Sequence, residues 1–330
     1  MEVPILLIGG TTASGKSALA LRIAGMTDGI VVNADAQQLY RDLPILTAQP
    51  GPEERARVPH RLYGILPPEE ATTVGLWLRL LAPVLEEARR THRPLLLVGG
   101  TGMYLKCLLH GLAPVPEIPA AVRRRLRALD LPGPELHARL RQRDPVMAAR
   151  LRPGDRQRIL RALEVVEATG RSLAEYHHQS RRQLELPGPV RAVALLPRRA
   201  ELARRIERRI EAMLAAGLLE ELSRLARQRP DLRTLPIARV HGCRELLDHL
   251  EGRMSLDAAI ARIATVTRQY AKRQSTFFRR QLPEFAPVSA FGEELGDLAT
   301  ELAAWLRTAA RGARAGGSPP AGAQPRAERA

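Results

Sequence analysis

The stretch Gly10-Thr11-Thr12-Ala13-Ser14-Gly15-Lys16-Ser17 follows the apolar run Pro4-Ile5-Leu6-Leu7-Ile8-Gly9 and leads into Ala18-Leu19-Ala20-Leu21-Arg22-Ile23-Ala24. Gly-x4-Gly-Lys-Ser between a strand pattern and a helix pattern is the signature of a phosphate-binding loop. Backbone N–H groups in such a loop, with the N-terminus of the next helix, favour an anion. Lys16 adds a point charge, and the Ser17 hydroxyl can hold Mg²⁺. The loop also constrains the fold, because it needs a strand whose carboxyl end opens on a crevice, as in an open α/β sheet. The phosphates could belong to a nucleotide being hydrolysed, to a kinase donor, or to a diphosphate on another molecule.

Further apolar runs read as buried strands: Gly29 to Asp35, Arg93 to Gly102, Val190 to Pro197 and Ala286 to Phe291. Helical patterns lie between them, for example Thr73 to Thr91. Apolar strands alternating with helices predict a parallel sheet covered on both faces. From Gly111 to Gly188 the strand signal stops, and Arg-rich helical stretches are broken by Leu-Pro-Gly-Pro, Arg-Pro-Gly-Asp and Pro-Gly-Pro. The chain is therefore read as α/β, a P-loop NTPase-like parallel sheet core with a helical insertion domain. Residues 1–111 form the first part of the core, 112–189 the insertion, 190–308 the second and mostly helical part, and 309–330 a low-complexity disordered tail.

Charge speaks to partners. The 330 residues carry a formal net charge of +16, which points to a polyanionic partner. Lysine occurs only at Lys16, Lys106 and Lys272, so one of the few lysines sits in the phosphate loop. Cys107 and Cys243 are far apart and lack metal-ligand spacing, which argues against a disulfide framework or a zinc site; both are expected to be buried. No apolar run approaches a membrane span and no signal-peptide pattern opens the chain, so the expectation is a soluble cytoplasmic protein.

Asp35 should stand at the carboxyl end of the second strand and Thr101 at that of the third, facing the same crevice as the phosphate loop. Three roles for Asp35 stay open on pattern alone: catalytic carboxylate, helix N-cap for the following turn, or Mg²⁺-associated group. The third strand ends in Gly99-Gly100-Thr101, with no Walker B carboxylate, which argues against a hydrolytic ATPase.

Seven stretches in order, including Gly10–Ser17, Asn33–Tyr40, Val98–Leu112, Asp155–Val165 and Thr267–Arg279, resemble the bacterial tRNA dimethylallyltransferase (tRNA isopentenyltransferase) family from about Pro4 to Arg280. The resemblance implies transfer of a dimethylallyl group from dimethylallyl diphosphate to N6 of the adenosine just 3′ of the anticodon. It gives the phosphate loop, Gly10, Thr11, Thr12, Ala13, Ser14, Gly15, Lys16 and Ser17, to the donor's diphosphate; nucleotide and ATP binding are what the loop pattern itself suggests. Asp35 becomes the general base, Thr101 and Arg209 join it as catalytic residues, and Ser17 holds Mg²⁺. The implied tRNA contacts are Asp35, Ala36, Gln37 and Gln38, then Thr101, Arg123, Gln157, Arg158, Ile159, Leu160 and Arg161, and Arg239, Val240, His241, Gly242, Cys243 and Arg244. The partners are the anticodon stem-loop of tRNA and the prenyl donor, with no membrane and a monomeric chain. In the Arg204, Arg205, Arg208 and Arg209 run the four side chains are not all expected to face inward, and Arg209 is favoured only by the family match.

The sequence departs from that family at Thr11, Ala36, Leu46, Gln49, Arg61 and Phe277, the last expected to be a core change. Rival readings are a P-loop kinase of a small metabolite, a prenyltransferase of free adenine nucleotides, and a catalytically silent RNA-binding protein. The intact Lys16, Ser17, Asp35 and Thr101 argue against the last.

Overall fold

The computed structural model describes residues 2–315. The apolar runs become strands where both faces are covered. β1 (Ile5–Gly10) is buried along its whole length and hands the chain to α1 (Lys16–Thr27) through the phosphate loop. β2 (Ile30–Asn33) follows, then the one-turn α2 (Pro44–Thr47), α3 (Pro52–Arg57) and β3 (His60–Arg61). The strand β3 has two residues, too short for periodicity to reveal. α4 (Val74–Thr91), capped by the Thr73 side chain, leads to β4 (Leu95–Val98) and α5 (Gly102–His110). Then come α6 (Ala120–Arg127), α7 (Gly133–Arg143), α8 (Pro145–Arg150), α9 (Arg156–Thr169) and α10 (Leu173–His178). The chain ends with β5 (Val190–Leu195), α11 (Arg199–Ala215), α12 (Leu218–Gln228), α13 (Cys243–Leu250), α14 (Leu256–Gln281), β6 (Ala286–Val288) and α15 (Gly296–Ala315).

Among the described residues these strands form one sheet in the order β3-β2-β4-β1-β5-β6, with every pairing parallel. β4 lies between β1 and β2, so the carboxyl ends of all three adjoin. On one face Leu6, Ile8, Val31, Leu96 and Val98 pack with Leu19 and Ile23 of α1 and Leu302 and Leu306 of α15. Full burial of each such side chain contributes roughly 2 kcal/mol.

The described residues divide into two compact units, 2–106 with 184–315, and 107–183. The second boundary falls earlier than the sequence break at 189. Its reason is local: Val3 N–H donates to Pro187 O at 2.7 Å and Ile5 N–H to Pro189 O at 2.8 Å, which draws residues 184–189 into the sheet unit. The helical unit has its own core, with Leu126, Leu136, Leu140, Ile159 and Leu163 fully covered. Glu164 is 2% exposed and pairs with Arg127 at 3.0 Å and Arg161 at 3.6 Å; Glu167 bridges Arg125 and Arg139. Part of this unit's arginine charge is therefore neutralised internally. The expected tail from residue 309 needs correction: α15 continues to Ala315, and residues 316–330 lie outside the described residues.

Candidate active site

The phosphate loop takes its shape from left-handed backbone at Ala13 (φ 58°) and Gly15 (φ 82°). Thr11 N–H donates to Leu195 O at 3.2 Å, so the base of the loop is stitched to β5. The Lys16 ammonium donates to Thr11 O at 2.5 Å. Burial lowers the Lys16 pKa to about 8; Asp35 opposes this by stabilising the ammonium, and Arg209 adds to the lowering. Lys16 and Ser17 open α1, where their N–H groups have no intrahelical acceptor.

Asp35 follows β2 and is fixed from three sides. The buried Asn33 accepts the Asp35 N–H at 2.7 Å on Oδ1 and donates through Nδ2 to Asp35 O at 2.9 Å. The carboxylate accepts Gln37 N–H on Oδ1 at 3.0 Å and Gly100 N–H on Oδ2 at 3.3 Å. One carboxylate oxygen thus orders the following turn while the other accepts from the peptide after β4. The glycine pair after β4 makes room for this: a Cβ on Gly99 would lie 2.0 Å from Ala34 O, and one on Gly100 2.1 Å from Gln274 Nε2. The Thr101 hydroxyl accepts Ala36 N–H at 2.9 Å, which places it as a brace of the Asp35 turn.

These strand ends open on a recess of about 660 Å³. Thr12 to Ala18, Asp35, Gln37 and Gln38 line one part; Leu46, Ile206, Ile210, Met213 and Ile263 give it an apolar wall. Arg209 reaches it from α11, and desolvation lowers its pKa while Asp35 raises it. Arg205 and Arg208 also line it, so three of the four arginines in the run turn to the recess. Arg205 lies one turn before the adjacent Arg208 and Arg209, beside the buried Ile206 and Ile210, a spacing that helical periodicity carries. Arg204 is exposed, and Arg205 pairs with Glu293 and lies over the Phe291 ring at 4.6 Å.

An IPP transferase family profile matches residues 38–281 of this chain. The chain belongs to the IPP transferase family. A tRNA dimethylallyltransferase of Methylocella silvestris is 52% identical over 284 residues, covering 85% of this chain and 93% of that protein. A tRNA dimethylallyltransferase of Azorhizobium caulinodans is 49% identical, covering 89% of this chain and 95% of its own. The tRNA isopentenylpyrophosphate transferase of Bacillus halodurans superposes with a TM-score of 0.67 at 28% identity, covering 94% and 97% of the two chains. A eukaryotic dimethylallyltransferase acting on tRNA shares the fold, with a TM-score of 0.77 at 24% identity, covering 96% of this chain and 80% of that one.

Within this family member the residues expected from sequence separate by position. Thr12 to Ser17, Asp35, Gln37, Gln38, Arg209 and His241 line the recess; Gly10 and Thr11 lie beneath it as part of β1 and its first turn. Gln37 Nε2 lies 2.6 Å from His241 Nδ1, and Gln37 Oε1 accepts the His241 N–H at 3.3 Å. Ala36 is half-buried beside them.

The expected tRNA-contact stretches differ in exposure from residue to residue. Ile159 is fully buried in the core of the helical unit, so its side chain is turned from solvent, and Leu160 is half-buried against that core; Gln157 and Arg158 are exposed and Arg161 is half-buried. Val240, Gly242 and Cys243 are buried while Arg239 and Arg244 are exposed. Contiguous residues on a helix or turn point to different sides, so a five- or six-residue stretch cannot present every side chain. Arg123 is half-buried, and Arg124 and Arg125 are exposed. Phe277 is half-buried against Gly102, whereas its neighbour Phe278 fills the core.

Sequence reasoning missed Asn33, Glu221, Tyr270 and Gln274. Tyr270 packs its ring 4.2 Å from that of His241. A buried Gln in an Arg-rich helix (Thr267 to Arg280) carries no periodic signal of its own.

Proposed function

We infer that this chain prenylates tRNA, moving a dimethylallyl group from dimethylallyl diphosphate to N6 of the adenosine on the 3′ side of the anticodon. The observation that carries the reading is that the Asp35 carboxylate and the cationic phosphate cradle of Lys16 and Arg209 line one recess with an apolar wall. A base, an anion site and a hydrocarbon site are the three things this transfer needs.

The adenine N6 lone pair is delocalised into the ring, so the amine attacks poorly. N6 bonds to the allylic carbon as the C–O bond to diphosphate breaks, and Asp35 takes the N6 proton. Lys16, Arg209 and the loop N–H groups stabilise the charge that grows on the leaving diphosphate. Lys16 enters this step with its pKa lowered to about 8 by burial, so bound phosphate charge restores its proton affinity. The apolar wall of Leu46, Ile206, Ile210, Met213 and Ile263 takes the prenyl group and keeps water from the allylic carbon.

Mg²⁺ fits the donor set. Ser17 is exposed at the start of α1 and lines the recess, and among the described residues no three His, Cys, Asp or Glu side chains form a cage. Mg²⁺ suits a site of one hydroxyl and substrate phosphates, and there it would neutralise diphosphate charge. The Arg-rich helical unit and exposed Arg239 and Arg244 supply phosphate contacts to the RNA. The adenosine leaves its stack to reach Asp35. No helix among the described residues is long and apolar enough to cross a membrane. We place the enzyme in the cytoplasm, acting as a monomer.

Labelled dimethylallyl diphosphate, offered with Mg²⁺ to an anticodon stem-loop and in parallel to AMP, tests this. Label on the stem-loop alone is expected. Label on AMP alone makes the protein a nucleotide prenyltransferase, and label on neither overturns the reading.

A further inference from the structure

Glu221 lies on α12, whose apolar face buries Leu218, Leu222 and Leu225. Its side chain is 2% exposed, yet it ends in a carboxylate that accepts Ile45 N–H at 2.7 Å and Leu46 N–H at 3.0 Å. Both donors belong to the first turn of α2, where no intrahelical acceptor exists for them. Pro44 before them has no N–H to offer. A helix of one turn has no cooperative stability of its own. A buried carboxylate is unfavourable unless its oxygens are satisfied, and hydrogen bonds to an ionised acceptor are the strong kind. α12 and α2 therefore need each other, across 175 residues of sequence.

α2 and the residues after it form a wall of the recess from Leu46 to Pro50. Their carbonyls set the next contact: Gln38 Nε2 donates to Thr47 O at 3.0 Å and to Ala48 O at 2.8 Å. Both donors of the Gln38 amide are spent on the wall, which leaves Oε1 as the acceptor it can offer a base edge. The order of dependence runs from Glu221 through α2 to Gln38. Asp35 is held by a different set, Asn33, Gln37 and Gly100.

We propose that Glu221 is a positioning residue for RNA: its carboxylate fixes the α2 wall that orients Gln38 in the recess. The proposal rests on the prenyl-transfer reading. Only a carboxylate accepts from both peptide groups. In Glu221→Gln one oxygen serves one N–H and the amide NH₂ faces the other. Glu221→Met removes both acceptors at similar volume.

The test combines amide hydrogen exchange of the substrate-free protein with transfer kinetics on the stem-loop. Glu221→Gln is expected to speed exchange at Ile45 and Leu46 and to raise the stem-loop KM about 10-fold, the scale of one lost charge-assisted bond. The kcat should stay within about threefold, because Asp35 keeps its own partners. Glu221→Met should raise KM further. Gln38→Leu, which leaves the buried carboxylate in place, should reproduce the KM rise. Faster exchange with unchanged KM, a fall in kcat at constant KM, unchanged exchange at Ile45 and Leu46, or an unaltered KM in Gln38→Leu each overturns the proposal. Absence of transfer by the unsubstituted chain instead overturns the prenyl-transfer reading, and stem-loop Kd then replaces KM as the readout for Glu221.

Discussion

Gln274 Oε1 accepts the Thr12 N–H at 2.8 Å, tying the phosphate loop to the C-terminal half of α14. The other end of the same amide, Nε2, donates to Gly100 O at 2.9 Å. Gly100 in turn gives its N–H to Asp35. One buried side chain thus links the phosphate loop to the support of the Asp35 carboxylate. Gln274→Leu keeps the volume but leaves the buried Gly100 carbonyl and the part-buried Thr12 N–H unpaired. Each unpaired group costs about 1–3 kcal/mol, so urea unfolding should show a loss of that order, together with a higher donor KM. Lost stability with unchanged donor KM would make the brace structural only.

Asp35→Asn preserves the shape of the side chain and removes its basicity. The kcat should fall about 10²–10⁴-fold, the range for a positioned base. Stem-loop affinity, read by filter binding, should change by less than about threefold. Matching losses in both would assign Asp35 to binding.

Lys16→Ala removes the point charge from the cradle while the loop N–H groups stay. The kcat/KM for the prenyl donor should drop by about 10²-fold or more, as for loss of one preorganised charge-stabilising group. Stem-loop affinity in the absence of donor should be unchanged. Unchanged donor kinetics would remove the loop from the mechanism.

His241 gives a pH-dependent outcome. Burial lowers its pKa below the ordinary value, and Arg273 lowers it further, while Asp35 and Glu245 oppose the shift. Gln37 Oε1 accepts the His241 N–H, so Gln37 Nε2 is the donor facing His241 Nδ1, which must be unprotonated. Between the folded pKa and the unfolded value of about 6.5 the unfolded chain binds the proton and the folded chain does not, so stability rises with pH across that window. Acidification below about 6.5 should therefore lower the urea midpoint, and His241→Gln should reduce that pH dependence. An unaltered slope in the variant would show that His241 does not titrate in the fold.

The phosphate loop was legible in the sequence because its chemistry is local. Gly10, Gly15, Lys16 and Ser17 must stand at a fixed spacing between a strand and a helix, whatever the rest of the chain does. Asp35 and Thr101 could be placed for a related reason: parallel strands put their carboxyl ends on one edge, and both residues follow apolar runs. The family resemblance added Arg209, but the helix also turns Arg205 and Arg208 to the recess. The sequence singled out the 157–161 and 239–244 stretches. It could not say that Ile159, Val240, Gly242 and Cys243 face the interior.

By itself the sequence determined the parallel α/β core, the phosphate-loop motif, the Arg-rich helical segment and the family. These depend on residue spacing within single elements and on apolar patterning. Only the tertiary structure decided which side chains hold the site in shape. Gln274 meets Thr12 across 262 residues, and Glu221 meets Ile45 across 176. A buried polar side chain is specified by the backbone group it must satisfy, and that group is chosen by packing rather than by neighbours in sequence.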